Sequence, residues 1–439
     1  MDVKDKISRN QIHTTNFNTM SSSNSDPDWQ PHQAIPTVIS ILFATLTSLA
    51  VLSFPKLFYP KSSLALVLST LCLSWHFSDG FPDVFAQEQW LRALIMFGAH
   101  MSHLLVVRGT HQDLHTQPKE AKRTACYRGY KLLFNFRGIG TDWEVPYLHR
   151  TVTVQQKKYD DPTQNARKHD QIGRLRTKSR WSAVRRRVFY LLVNYLVLCL
   201  YYELLHPALY LLPKASDFTP TKESFLRRLP LTLVYPGSSA AIAARELWVR
   251  ICMVVELVIP EYFWLASYHD ISAIIFIGIG LDGDEDWPPI MGSVSAATTL
   301  RGFWGCFWHR ILYRSFSEHA TVLARWLGFR KGTTSGRLAS NVLVFAFSAF
   351  MHAAVSFRIG NKCAWGRSMW FWVLQPVGFI GEGVVQTYWR RLRSTWNLNE
   401  RMTRYTTVLE NAVGCSWVCL WFFWSEPKRI FPLAYCGKG

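Results

Sequence analysis

At 439 residues the chain is long for one soluble core, and its composition argues against one. Charged residues make up 18% of it, while aromatics reach 15% with 19 Trp; soluble domains carry roughly 25% charge. The formal charge of +19 invites a nucleic-acid reading, but that requires a basic face on a soluble domain. Here the basic residues flank long apolar runs, as in a polytopic membrane protein, so the expected partner is a lipid bilayer and no nucleic acid.

In chain order, residues 1–33 form a polar tail containing Ser21-Ser22-Ser23-Asn24 and read as disordered, with no cleavable leader expected ahead of the first span. Residues 34–439 form the membrane-embedded part. Ala34–Phe54 is long enough to cross; Leu64–Phe77 is shorter, and Trp90–Val107 is a third candidate. Arg108–Arg187 holds 19 Lys and Arg against 7 Asp and Glu, so it is expected on the cytosolic side. Val188–Leu212 follows. Glu246–Ser267 and Ile271–Leu281 read as two separate apolar blocks, interrupted by Glu256, Glu261, His269 and Asp270, which should face the interior. Phe303–Phe316 is too short and polar for a simple crossing and suits a re-entrant or interfacial element. Ala339–Phe357, Trp370–Tyr388 (with the buried acid Glu382 wanting a partner such as an Arg) and Val408–Trp424 complete an all-α fold of about eight transmembrane helices. Nine cysteines lie mostly inside apolar runs, which indicates neither a disulfide framework nor a metal site.

A histidine inside an apolar helix needs a reason. His352 sits in Val342–Phe357, and at 100° per residue Asn341, Phe345, Ser348 and His352 share a face. An imidazole facing lipid would lose its hydrogen bonds, so this face should look into protein or a wet cavity. A core histidine satisfied by Ser348 or by a backbone carbonyl is the plainer alternative. His309 lies 43 positions upstream, roughly 65 Å along one helix, so the chain must fold back if the two rings are to meet.

The run Leu300-Arg301-Gly302-Phe303-Trp304-Gly305, followed by Trp308-His309, resembles the LRDFWGRRWH signature of the wax-synthase branch of the membrane-bound O-acyltransferases. Asp286-Trp287-Pro288-Pro289 is similar to that branch's lead-in, and Ser348 with His352 matches its S-G-x-x-H pattern. Arg137-Gly138-Ile139-Gly140-Thr141 with Trp143 resembles the RGIGTxW element of fungal members that acetylate terpenoid and meroterpenoid metabolites. Gly302 replaces the usual Asp, and Ala349 a frequent Gly. The resemblance implies helices around a central tunnel, a multi-pass protein of the endoplasmic reticulum, and acetyl-CoA as co-substrate with no bound cofactor.

Acyl transfer from a thioester to an alcohol needs the hydroxyl proton removed, the carbonyl oxygen stabilised and water excluded. A neutral imidazole suits the first task, which falls to His352. His309 would donate a hydrogen bond to the thioester carbonyl; a belt imidazole is its plain alternative. Arg137 and Arg301 are candidates for coenzyme A phosphate, the latter equally well explained as a cytosolic-edge arginine. Trp304 and Trp308 would pack, anchor or line the tunnel, Gly305 would leave room for the thioester, and Asn341 and Ser348 would order the His352 face or bind substrate. Cys306 is a possible nucleophile, set aside because the family transfers directly. The preferred reaction is acetyl transfer to a hydrophobic terpenoid alcohol. Long-chain transfer to a fatty alcohol or sterol is the alternative within the class; a transporter or a membrane terpene cyclase lies outside it.

Overall fold

The structure, a computed structural model, describes residues 30–57, 59–108, 124–141, 143–146, 165–207, 214–395 and 400–436. Most of the N-terminal tail and two stretches of the basic segment lie outside the described residues. Among those described, regular structure is helical throughout: α1 Ala34–Ser53, α2 Pro60–His76, α3 Val84–Ser102, α4 Ala125–Phe134, α5 Asn165–Leu200, α6 Phe225–Val234, α7 Ala244–Gly278, α8 Tyr313–Trp326, α9 Thr334–Arg358, α10 Trp365–Ser394, α11 Glu400–Ser425 and α12 Pro427–Cys436. Among the described residues, four helical stretches are long and apolar enough to cross a membrane: Ala34–Ser53, Val84–Val107, Arg180–Leu205 and Thr334–Arg358.

Two apolar cores hold the bundle. The first joins α1 to α4 through buried Val51, Leu91, Met101, Leu104 and Leu133. The second gathers Phe303, Trp308, Phe345, Phe371, Phe379 and Phe422 from α9, α10, α11 and the 300–308 segment. The two blocks expected at 246–267 and 271–281 are one helix, α7, of 35 residues, roughly 52 Å long. Three of the interrupting polar groups, Glu256, His269 and Asp270, are paired inside the protein, and Glu261 faces a cavity. The Tyr201 hydroxyl donates to Glu256, and Arg187 donates to Asp270 at 2.8 Å. Pro260 is also accommodated within the helix.

A disulfide joins Cys363, just past α9, to Cys436 at the end of α12, contrary to the expectation from cysteine placement. The partners are 73 positions apart, and only the packing of α10 against α12 brings them together.

Candidate active site

The 286–312 segment is irregular, and its shape has identifiable causes. Thr299 caps the short turn that follows it by accepting from Gly302 N–H at 2.8 Å, and Glu382 from α10 accepts from Leu300 N–H at 2.6 Å. A carboxylate is favoured at such a helix start. Glu382 also accepts from the Trp417 indole at 3.2 Å and from the Gln386 amide at 3.4 Å, so its partners are these neutral donors and not the arginine expected. A Cβ on Gly302 would come within 2.0 Å of the Ala296 carbonyl oxygen, and one on Gly292 within 1.9 Å of that of Cys306. The turn therefore closes only around glycine. A wide helical turn, Phe303–Phe307, then ends at Trp308, whose backbone is extended. That break lets His309 leave the helix.

The reversal between α8 and α9 runs through Gly328 and Gly332 at φ 90° and 87°, values in the left-handed region that glycine alone adopts freely. It returns the chain so that α9 packs along α8 and α10. A cavity of about 1420 Å³ opens between these helices, α3 and α7, and both His309 and His352 line it. Asn341, Phe345 and Ser348 line the same cavity, as do Arg137, Arg301, Trp304, Gly305 and Trp308. A ladder of rings connects the two imidazoles: His309 to Trp308 at 5.8 Å, Trp308 to Trp304 at 6.1 Å, Trp304 to Trp372 at 5.8 Å, and Trp372 to His352 at 4.2 Å. The contact of the His352 ring is this stack on Trp372, where Ser348 was expected to bond it. His309 Nδ1 is buried with no hydrogen-bond partner among the described residues. Gly305 would meet nothing with an added Cβ, so it faces open space.

Trp304 is held in place by Gln375, a residue that sequence reasoning passed over. Gln375 is fully buried, accepts from the Trp304 indole at 3.1 Å and the Trp421 indole at 3.0 Å, and donates to the Phe371 carbonyl at 2.8 Å.

The Arg137–Thr141 element behaves differently from the anion cradle expected. Gly138 and Gly140 have φ of 62° and 76°, but the N–H groups of the loop are occupied. Ile139 donates to the Asn135 side chain at 2.7 Å, Gly140 to Glu144 at 2.8 Å, and Thr141 to the Gly138 carbonyl at 3.0 Å. Arg137 is buried and donates to the carbonyls of Pro289 at 2.8 Å and Pro288 at 2.6 Å. Burial and then the nearby Arg187 pull its pKa down to about 10, so it stays charged at neutral pH. It is a clasp between this loop and the Asp286–Pro289 lead-in. Nearby, burial works against the Lys131 ammonium, but Asp286 and Asp282 at 2.9 and 2.6 Å outweigh it and raise its pKa. Arg301, by contrast, is exposed at the cavity edge.

Residues 287–374 match the family model described as membrane bound O-acyl transferase. Over that segment the chain is similar to the family. Its relatives include acetyltransferase aurG of Calcarisporium arbuscula, 31% identical over 222 residues that cover 50% of this chain and 49% of the relative. Acetyltransferase ataH of Aspergillus terreus is 32% identical over 40% of this chain and 55% of its own. Acetyltransferase TRI7 of Fusarium sporotrichioides is 25% identical over 91% and 88%. The chain thus spans about half the length of the first of these relatives. No solved structure matches. The family segment takes in both histidines and Trp372. Three further residues lining the cavity, Arg92, Glu261 and Arg429, lie outside it; Arg92 and Arg429 carry no motif, and Glu261 showed in the sequence only as an acid interrupting an apolar run.

Proposed function

We propose that this protein is an acyl-CoA-dependent O-acetyltransferase that moves acetyl from acetyl-CoA to a hydroxyl of a hydrophobic, terpenoid-type alcohol. One observation carries the reading: the two imidazoles of the family segment, 43 positions apart, line one largely apolar cavity. In this reading the alcohol oxygen attacks the thioester carbonyl carbon while His352 takes the hydroxyl proton. His309 donates a hydrogen bond to the carbonyl oxygen as charge develops there. The C–S bond then breaks, the new ester forms, and the proton passes from His352 to the departing thiolate. Cys306 does not line the cavity, which supports direct transfer over an acyl-enzyme.

The cavity volume exceeds the roughly 300–1,000 Å³ of ordinary ligand pockets, room enough for a pantetheine arm and a polycyclic acceptor together. Arg301, exposed at its edge, suits a coenzyme A phosphate better than the clasped Arg137. Trp304, Trp308, Asn341 and Ser348 would shape the acceptor chamber, and Gly305 would leave space for the thioester. With α2, α7, α10 and α11 added to the four apolar stretches, the chain would cross the bilayer eight times as one membrane-embedded unit. Its basic 108–187 segment would face the cytosol, in the endoplasmic reticulum. The test is incubation of membranes with labelled acetyl-CoA, labelled palmitoyl-CoA and candidate alcohols, native protein against His352→Ala. Loss of general-base catalysis costs ~100-fold or more; ester formation that survives the substitution would end this proposal, and a preference for palmitoyl-CoA would move the protein to the long-chain class.

A further inference from the structure

The chamber beside His352 holds an unexplained charge. Arg92 on α3 and Arg429 on α12 both line the cavity and both lie within electrostatic reach of His352. Each is paired on its own helix segment: Arg92 donates to Glu88, and Arg429 donates through Nε to Glu426 at 2.9 Å. A third acid, Glu261 on α7, lines the same cavity but has no hydrogen bond or ion pair among the described residues. Its one-turn neighbour Trp264 packs on Phe85 at the start of α3, ring centroids 5.4 Å apart, and its charge and that of Arg92 both reach Tyr268. The Nε of Arg92 has no hydrogen-bond partner among the described residues.

Arg358 at the end of α9 is bound to Asp79, ahead of α3, at 2.6 Å, which ties the ends of these two helices together. His352 sits roughly 9 Å along α9 from Arg358, and Arg92 roughly 12 Å along α3 from its first residue, Val84. An unpaired carboxylate lining a cavity inside a bundle, and a guanidinium N–H without a partner, are expensive unless something supplies what they lack. A hydroxyl supplies both at once, donating to the carboxylate and accepting from the guanidinium.

We infer that Glu261, with Arg92, forms a subsite for a second hydroxyl of the acceptor, so that the acceptor is a polyhydroxylated hydrophobic alcohol rather than a simple mono-ol. This rests on the transferase reading above. A site built to hydrogen-bond a hydroxyl discriminates strongly against the analogue lacking it, because its own groups are then left unmet.

The test uses the full chain in membranes with acetyl-CoA and pairs of probe alcohols, hydrophobic polycyclic diols and the mono-ols of the same skeletons. The native protein is expected to favour the diol by about tenfold or more in kcat/KM. Glu261→Leu should collapse that ratio toward one through KM for the diol, and Glu261→Gln, which keeps a hydrogen-bonding amide, should largely preserve it. Equal use of diol and mono-ol by the native protein, or a Glu261→Leu protein that lowers both in the same proportion, overturns the subsite while leaving the transferase reading in place. Acetylation of no alcohol at all removes both.

Discussion

The His352 imidazole lies flat on the Trp372 indole, ring centroids 4.2 Å apart and planes inclined by 8°. The ring contact comes from the facing helix, so α10 sets the plane in which His352 presents its nitrogens to the cavity. A base displaced by an ångström can cost about 100-fold in rate. Trp372→Leu should therefore lower kcat by roughly 10- to 100-fold with little change in KM, while Trp372→Phe should lose less. Steady-state kinetics decide; a change confined to KM would make Trp372 a substrate contact instead.

In the proposed reaction His309 has a different part from His352, and its substitutions should separate hydrogen bonding from proton transfer. If it only donates to the carbonyl oxygen, His309→Asn keeps the donor and should retain most activity. His309→Ala should fall by about 100- to 1,000-fold, the loss seen when one oxyanion donor is removed. Equal, severe losses in both variants would point to proton transfer at this position.

Gly302 stands where related signatures carry aspartate, and here there is no space for one. With an added Cβ only 2.0 Å from the Ala296 carbonyl oxygen and 2.8 Å from Thr299 Oγ1, Gly302→Asp must push the 296–299 turn aside. We expect a stability loss of about 1–3 kcal/mol, read as a lowered thermal midpoint in detergent. An unchanged midpoint would mean that the turn has a second, equally good conformation.

Arg137 should behave as a clasp. Arg137→Lys cannot reach the carbonyls of Pro288 and Pro289 together and leaves buried acceptors unmet, at about 1–3 kcal/mol each. The variant should unfold at lower temperature, with KM for acetyl-CoA within roughly threefold of native, whereas loss of a charge-assisted phosphate contact costs roughly tenfold or more. A large rise in KM at unchanged stability would return Arg137 to the coenzyme site.

Much of this protein was legible in its sequence because the signals are local. Apolar runs marked the middles of α1, α3, α9 and α10, with ends that differ by up to six residues, since the cost of an unsatisfied backbone in lipid depends on the run itself. The shared face of Asn341, Ser348 and His352 follows from helical periodicity alone, and all three line the cavity. What the sequence could not settle is pairing between distant segments. That Arg137 closes on two proline carbonyls, that Glu382 caps the Leu300 turn, and that Cys363 meets Cys436 depend on helices 73 to 152 positions apart arriving side by side. Such contacts leave no periodic trace, because each partner is chosen by the geometry of the packed bundle and not by its neighbours in the chain. The same holds for Glu261, which in the sequence is only an acid interrupting an apolar run. Its unpaired carboxyl, lining the same cavity as Arg92 and His352, becomes visible once α3, α7 and α9 enclose a common space.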